Sequence, residues 1–112
     1  MSTCLFCRII AKELPATVFY EDENWLVIAD INPQAPWHLL FISKEHIPSF
    51  QELTPRHSHL LANLVEVVHQ VTVREGISSY RLINNVGVDA GQSVPHFHWH
   101  LLAGKELDDF LA

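Results

Sequence analysis

A chain of 112 residues is the length of one domain, able to bury roughly 65% of the surface its unfolded form would expose. Its composition, 48% hydrophobic and 18% charged, is that of an ordinary globular protein rather than a disordered one. The formal net charge is -6 with no cluster of lysine or arginine, which argues against a DNA or RNA polymer as partner but leaves open a mononucleotide, which needs only a few local donors.

The opening MSTCLFCRII has neither the basic start nor the apolar run of a signal peptide, and no stretch approaches the roughly 18 apolar residues of a membrane span. A cytoplasmic protein with no membrane partner is expected, and there a structural disulfide between Cys4 and Cys7 is disfavoured. Cys4-x-x-Cys7 leaves no room for the strand that precedes a thioredoxin-like redox motif. A structural zinc site wants four nitrogen or sulfur ligands, so this pair needs two more, and histidines are available; two reduced, partly buried thiols are the alternative. Phe6, Ile9 and Ile10 recur at helical spacing and predict a short helix from Phe6 to Lys12, ended by Pro15, whose inner face could wall a ligand pocket.

Val18 to Tyr20 and Trp25 to Ala29 read as paired strands joined by the polar turn Glu21-Asp22-Glu23-Asn24, which delivers Asp30 at a strand end. Asp30 before Asn32-Pro33 also suits an Asx-turn. Trp37 to Ile42 is a strand with His38, Leu40 and Ile42 on one face, so His38 is either a hydrogen-bonded core histidine or a border of the active site. A turn from Pro48 to Leu53 leads to Thr54-Pro55, an N-cap followed by the proline favoured at a first helical position. The long helix is expected from Pro55 to Glu75, stopping at Gly76. Leu60, Leu64, Val67, Val68 and Val71 form its apolar stripe; Leu61, Val65 and Val73 widen it beyond what one sheet face covers and mark a candidate dimer surface. His57, His59 and His69, among polar neighbours, are expected to be solvated. Tyr80 to Asn84 is a further strand, and the loop from Asn85 to Gly91 returns the chain to its most informative stretch.

That stretch is Gly91 to Leu102, GQSVPHFHWHLL, in which His96, His98 and His100 alternate with Phe97, Trp99 and Leu101. An extended strand sends alternate side chains to opposite faces, so the imidazoles share one face and the apolar residues the other. Two chemistries fit: a metal held by His-x-His, or an imidazole attacking a phosphorus or carbonyl centre. The spacing does not choose between them.

The run His96-Phe97-His98-Trp99-His100-Leu101-Leu102 resembles the signature of the histidine triad superfamily. Gly91-Gln92-Ser93-Val94 before it, Asp30-Ile31-Asn32-Pro33-Gln34-Ala35-Pro36 followed by His38, and Leu5-Phe6-Cys7-Arg8-Ile9-Ile10 with Glu13-Leu14-Pro15-Ala16 resemble its nucleotide-binding branch, so the likeness covers nearly the whole chain in order. The resemblance implies that His98 is a nucleophile taking up a nucleoside monophosphate, that His100 donates to a phosphate oxygen, and that Ser93 stands by the leaving group. It implies that Asp30 holds the ribose hydroxyls with Ile31 beside the sugar, that Asn85, Gly91 and Gln92 line the phosphate, and that Leu5, Phe6 and Ile9 wall the base. It further implies a zinc site of Cys4, Cys7, His46 and His96, structural and not required for the chemistry, and a two-fold homodimer through the long helix and a sheet edge.

The expected fold is therefore a single histidine triad domain over 1-112: α+β, an antiparallel sheet of about five strands with one long and one short helix. The expected function is hydrolysis of nucleoside 5′-monophosphoramidates or related nucleotidyl conjugates, with purine preference inherited from the family. Two rivals are a metalloenzyme using His96, His98 and a third histidine, and a nucleotide-sensing or interaction protein with the same pocket and little turnover. For His98 to attack, one ring nitrogen must be unprotonated, so the other should donate to a backbone carbonyl or similar acceptor. The chain departs from the branch in lacking a Trp-containing tail and in having Ala103-Gly104 for a more usual Gly-Gly, which puts the leaving group in doubt.

Overall fold

The computed structural model describes residues 3-108. In chain order the elements are helix α1 (Leu5–Ile10), strands β1 (Val18–Glu21), β2 (Trp25–Ala29) and β3 (Trp37–Ser43), helix α2 (Ser58–Glu75), and strands β4 (Tyr80–Ile83) and β5 (His98–Ala103). Short 3₁₀ turns at Phe50–Glu52, Pro55–His57 and Val88–Ala90 punctuate the connections. The strands form one antiparallel sheet in the order β1-β2-β3-β5-β4, so the histidine-bearing strand is interior. The α+β architecture with a five-stranded sheet, one long helix and one short one is as expected from the sequence.

The period of two along each strand divides the core into two layers. On one face Trp25, Val27, Leu39, Phe41, Phe97 and Leu101 pack with Leu60, Leu64, Val67, Val68 and Val71, the expected stripe of α2. Trp25 is fully buried, and its indole N–H donates to the Leu60 carbonyl at 3.1 Å. On the other face Leu26, Ile28, Leu40 and Ile42 pack beneath Phe6 of α1. Cross-strand pairing places Ile42 opposite His98 and Leu40 opposite His100, so these two imidazoles emerge on the α1 face.

Two helix boundaries and the burial of His57 differ from the sequence reading. Helix α1 stops before Pro15, where Lys12 takes a left-handed φ of 66° and the Glu13 amide donates back to the Arg8 carbonyl. Helix α2 proper begins at Ser58, because Pro55–His57 forms a 3₁₀ turn. Its end is as expected: Gly76 has φ 70°, the left-handed conformation that glycine adopts without a Cβ penalty. His57 is not solvated. It is 5% exposed, accepts from the Thr54 amide at Nδ1 (2.9 Å), and its Nε2 faces Glu45 Oε2 at 3.2 Å. His69 is exposed, and His59 is exposed with its Nδ1 3.0 Å from the Arg56 carbonyl. Among the described residues no helix is long and apolar enough to cross a membrane.

Candidate active site

His96 lies just before β5 and His98 and His100 lie within it, and each imidazole has a different partner. His98 Nδ1 is 2.6 Å from the His96 carbonyl, an acceptor only, so Nδ1 carries the proton and Nε2 is left with a lone pair. The carbonyl required for that tautomer thus comes from two residues earlier in the same segment.

His100 is set the opposite way. The Gln34 amide donates to His38 Nδ1 at 3.0 Å, so a neutral His38 carries its proton on Nε2. That proton faces His100 Nδ1 at 2.9 Å, which leaves the proton of His100 on Nε2, a donor. His38 is therefore both a buried, hydrogen-bonded residue and part of the site. Its Nε2 also lies 3.4 Å from Asp30 Oδ2. Asp30 Oδ1 accepts from the Asn32 amide at 2.8 Å, so the Asx-turn is real and leaves the second oxygen turned toward the site. The Asp30, His38 and His100 ligand atoms come within 4.8 Å of one another, but the Gln34 amide keeps His38 Nε2 protonated and so a donor rather than a ligand.

Burial, the largest influence, lowers the pKa of all three triad imidazoles. It brings His96 to about 4 against the bond to the Ser43 carbonyl. It brings His100 to about 4, aided by His98 and His38 and opposed by Asp30. For His98 burial outweighs the bond to the His96 carbonyl and the charge of Asp30, both of which favour protonation. Near pH 7 the consequence is a neutral His98 with a lone pair on Nε2 and a neutral His100 with a proton on Nε2.

His98 and His100 face a cleft of about 420 Å³. Leu5, Phe6 and Ile9 from α1 line it, together with Asp30 and Ile31, and Ser93 stands at its rim. The ring of Phe6 packs edge-on against His98 with centroids 4.9 Å apart. Ile31 is 90% exposed, an apolar side chain left without cover at the mouth of the cleft. Sequence reasoning missed the rest of the wall: Leu14, Pro15, Ile28, Ala29, Asn32, Leu40 and Val94. The signal for Ile28 and Leu40 is register, since they pair with each other and Leu40 pairs with His100.

Asn85, Gly91 and Gln92 do not line this cleft. Asn85 Nδ2 donates to the Ala90 carbonyl (2.8 Å), the Gly91 amide to Val88 (3.0 Å) and the Gln92 amide to Gly87 (3.0 Å). The Gln92 side chain accepts from the Gly87 amide and donates to the Pro48 and Val94 carbonyls. These groups hold the loop's shape, and the loop in turn holds Ser93, whose exposed hydroxyl has no hydrogen bond among the described residues.

A second cluster lies behind the first. Cys4 Sγ is 3.2 Å from His96 Nδ1, Cys7 Sγ is 3.2 Å from His46 Nδ1 and 3.6 Å from His96 Nδ1, and the two Nδ1 atoms are 3.1 Å apart. A tetrahedral zinc ion with nitrogen and sulfur ligands has edges of roughly 3.3-3.8 Å, so these four separations match its edges within a few tenths of an ångström, and all four ligand atoms lie within 4.8 Å of one another. Protonation agrees: His96 Nε2 faces the Ser43 carbonyl at 2.6 Å and must donate, which leaves the Nδ1 lone pair aimed at the cluster. His98 is not a member of this set.

Comparison with known proteins agrees with this geometry. Residues 3-110 match the family model described as "Scavenger mRNA decapping enzyme C-term binding". The chain is 37% identical to the purine nucleoside phosphoramidase of Escherichia coli K12, covering 96% of this chain and 92% of that protein. It is 42% identical to a 14 kDa zinc-binding protein of Zea mays, covering 96% and 86%. A HIT family hydrolase from Clostridium thermocellum superposes with a TM-score of 0.94 at 43% identity, covering 100% of this chain and 99% of the other. With matches over nearly the whole chain in sequence and in fold, and three alternating imidazoles at the start of an interior strand and just before it, this chain belongs to the histidine triad (HIT) family.

Proposed function

We propose that the chain is a hydrolase of nucleoside 5′-monophosphoramidates, or of closely related nucleotidyl conjugates, acting through a nucleotidyl-histidine intermediate on His98. The observation that carries this reading is the pair of opposite tautomers facing one cleft: a lone pair on His98 Nε2 and a proton on His100 Nε2. Phosphoryl transfer asks a protein for a positioned nucleophile and for donors aimed at the non-bridging oxygens, and a rigid strand bearing both supplies them. The 37% identity to a purine nucleoside phosphoramidase supports the substrate class.

In this mechanism the base lies against Leu5, Phe6 and Ile9, and Asp30 Oδ2 accepts from the ribose hydroxyls beside Ile31. His98 Nε2 attacks phosphorus, the phosphorus–nitrogen bond breaks, and the departing amine takes the proton of the Ser93 hydroxyl, which solvent resupplies. His100 Nε2–H donates to a non-bridging oxygen as charge builds there. Water then attacks phosphorus, the bond to His98 Nε2 breaks, and the proton water gives up passes to solvent, releasing the nucleoside monophosphate and restoring the imidazole.

Cys4, Cys7, His46 and His96 are the residues that would hold a structural zinc ion, and the zinc-binding relative supports that assignment. Bound there, zinc supplies a crosslink between α1 and the segment leading into β5, while the reaction proceeds on His98 and His100. A homodimer is also proposed. Val65 (56% exposed) and Val73 (80% exposed) are the surplus of the α2 stripe, and Tyr80 and Leu82 stand half-exposed on β4, the sheet's edge.

The test is a mass spectrum of the protein mixed with adenosine 5′-phosphoramidate, with product release followed in parallel. The expected result is a transient adduct of one adenylyl group and release of adenosine monophosphate, both lost in His98→Ala. Nucleotide binding without adduct or release would make the chain a nucleotide-sensing protein instead.

A further inference from the structure

We propose that Cys4 and Cys7 are a reversible oxidation site, at which a peroxide joins them in a disulfide and thereby releases the metal that ties α1 to the histidine strand. The inference rests on the zinc assignment above and goes beyond the nucleotide chemistry, in which neither sulfur takes part. Ligand atoms from three segments meet here: the start of α1 gives Cys4 and Cys7, the turn after β3 gives His46, and the approach to β5 gives His96. Zinc held by all four crosslinks those segments, whereas a disulfide joins only two residues of one helical turn. Oxidation therefore exchanges a long-range tie for a local one.

The geometry allows that exchange. Cys4 is the N-cap of α1, with φ -73° and ψ 120°, and its Sγ accepts from the Cys7 amide at 3.4 Å. The two sulfurs lie within 4.8 Å of one another, so closing them to the roughly 2.05 Å of a disulfide calls for rotation about the side-chain bonds. The chain has two cysteines, so no other intramolecular disulfide competes. Access is present as well: Cys4 and His46 line an open hollow of about 500 Å³, wide enough for a peroxide, and Cys7 does not line it. Cys4 is thus the sulfur that reacts first and Cys7 the one that resolves it. The Cys4 thiolate attacks a peroxide oxygen, the O–O bond breaks and hydroxide leaves, giving a sulfenic acid. The Cys7 thiolate then attacks the Cys4 sulfur, the S–O bond breaks and a second hydroxide leaves. The sulfurs have lost two electrons, the peroxide has gained them, and two protons from solvent turn the hydroxides into water. A disulfide offers no thiolate to zinc, and two imidazoles are half a structural site, so the metal leaves.

The experiment takes the full chain purified with zinc, measures its metal content, and adds excess hydrogen peroxide at neutral pH. Zinc should pass to a chromogenic chelator in step with disulfide formation, the intact mass should fall by two hydrogens, and the melting temperature should drop by several degrees, as it does on chelation. A dithiol reductant with added zinc should reverse all three. Cys7→Ser should leave the Cys4 sulfenic acid without a resolving thiol, so that dimedone labels it, and Cys4→Ser should react about tenfold more slowly. If either variant fails to fold, the wild-type readouts decide. Zinc retained after peroxide, metal lost with no disulfide, added oxygen in place of lost hydrogens, or no recovery with reductant and zinc would each overturn the oxidation site and leave the zinc assignment standing. A chain purified without zinc overturns both. Neither result bears on the His98 adduct, which the adenosine phosphoramidate mass spectrum tests separately.

Discussion

Replacing His57 by alanine should destabilise the fold by about 2 kcal/mol, although the residue does not line the cleft. The imidazole is 5% exposed, and its two nitrogens hold separate parts of the chain: Nδ1 takes the Thr54 amide at 2.9 Å at the start of the helical segment, and Nε2 meets Glu45 at 3.2 Å. Loss of the cap-like bond costs about 0.5-1 kcal/mol, since Thr54 is exposed and water can replace the acceptor. Removing the buried ring costs about 1-1.5 kcal/mol more in lost packing. The Glu45 contact adds little, because that carboxylate is 38% exposed and keeps Arg56. The assay is urea denaturation at pH 7 followed by tryptophan fluorescence, and the midpoint should fall by about 1-2 M. His57→Asn should recover part of the loss, because its side-chain oxygen can accept from the same amide. His69→Ala, at an exposed position of the same helix, should stay within about 0.5 kcal/mol of wild type. A His57→Ala loss no larger than that of His69→Ala would refute the reasoning and return His57 to the solvated class.

Other outcomes follow from the site. His38→Phe keeps bulk but removes the donor that sets the tautomer of His100, so kcat/KM for adenosine phosphoramidate should fall about 10-100-fold while the His98 adduct still forms, as read by rapid-quench mass spectrometry. Asp30→Asn should erase most of the preference for ribo- over deoxyribonucleotide conjugates, costing about tenfold on the ribose substrate and much less on the deoxyribose one. Chelation, or Cys7→Ala, should lower the melting temperature by several degrees while leaving the rate per folded molecule at 25 °C nearly unchanged; a rate that vanishes with the metal would favour a metalloenzyme. The folded protein holds His100 at a pKa of about 4 against 6.5 unfolded, so the unfolded chain binds the proton first as pH falls. Stability should therefore decline from about pH 6.5 toward pH 4, by up to roughly 1 kcal/mol per pH unit from this residue, and His100→Asn should flatten that slope in denaturation series.

What the sequence displayed most plainly were features written in local periodicity. Alternation at 96-101 gave the strand and its two faces, the stripe from Leu60 to Val71 gave the helix face, and Gly76 gave its end, because each depends on residues a few positions apart. His57 was missed for a different reason. Its capping interaction spans the familiar three-residue interval from Thr54, but histidine is not the residue usually sought there, and its other partner, Glu45, lies in a different segment. The partnership of His38 with His100 and the cleft wall at Ile28 and Leu40 depend on strand register across 60 residues or more of chain in the first case and on β2-β3 pairing in the second. Gln92 resisted for the opposite reason: its position beside Ser93 is local, but the use of its side-chain amide to tie Gly87 and Val94 to Pro48 appears only once the two segments meet.

Three chemically identical side chains do three different things here because the backbone, rather than the imidazole, distinguishes them. The Ser43 carbonyl takes the Nε2 proton of His96 and turns its Nδ1 toward Cys4 and Cys7. The carbonyl of His96 then takes the Nδ1 proton of His98, so the residue that faces the thiols also orients the proposed nucleophile. The Gln34 amide, acting through His38, gives His100 the opposite tautomer. The first two assignments rely on peptide groups at the end of the β3-β5 ladder, where the Ser43 amide donates to the Phe97 carbonyl, and the third on the loop that joins β2 to β3. The spacing of two is therefore required by more than reach: one residue inserted between His98 and His100 would send the second imidazole into the α2 face among Phe41 and Leu101, where neither His38 nor a phosphate oxygen is within reach.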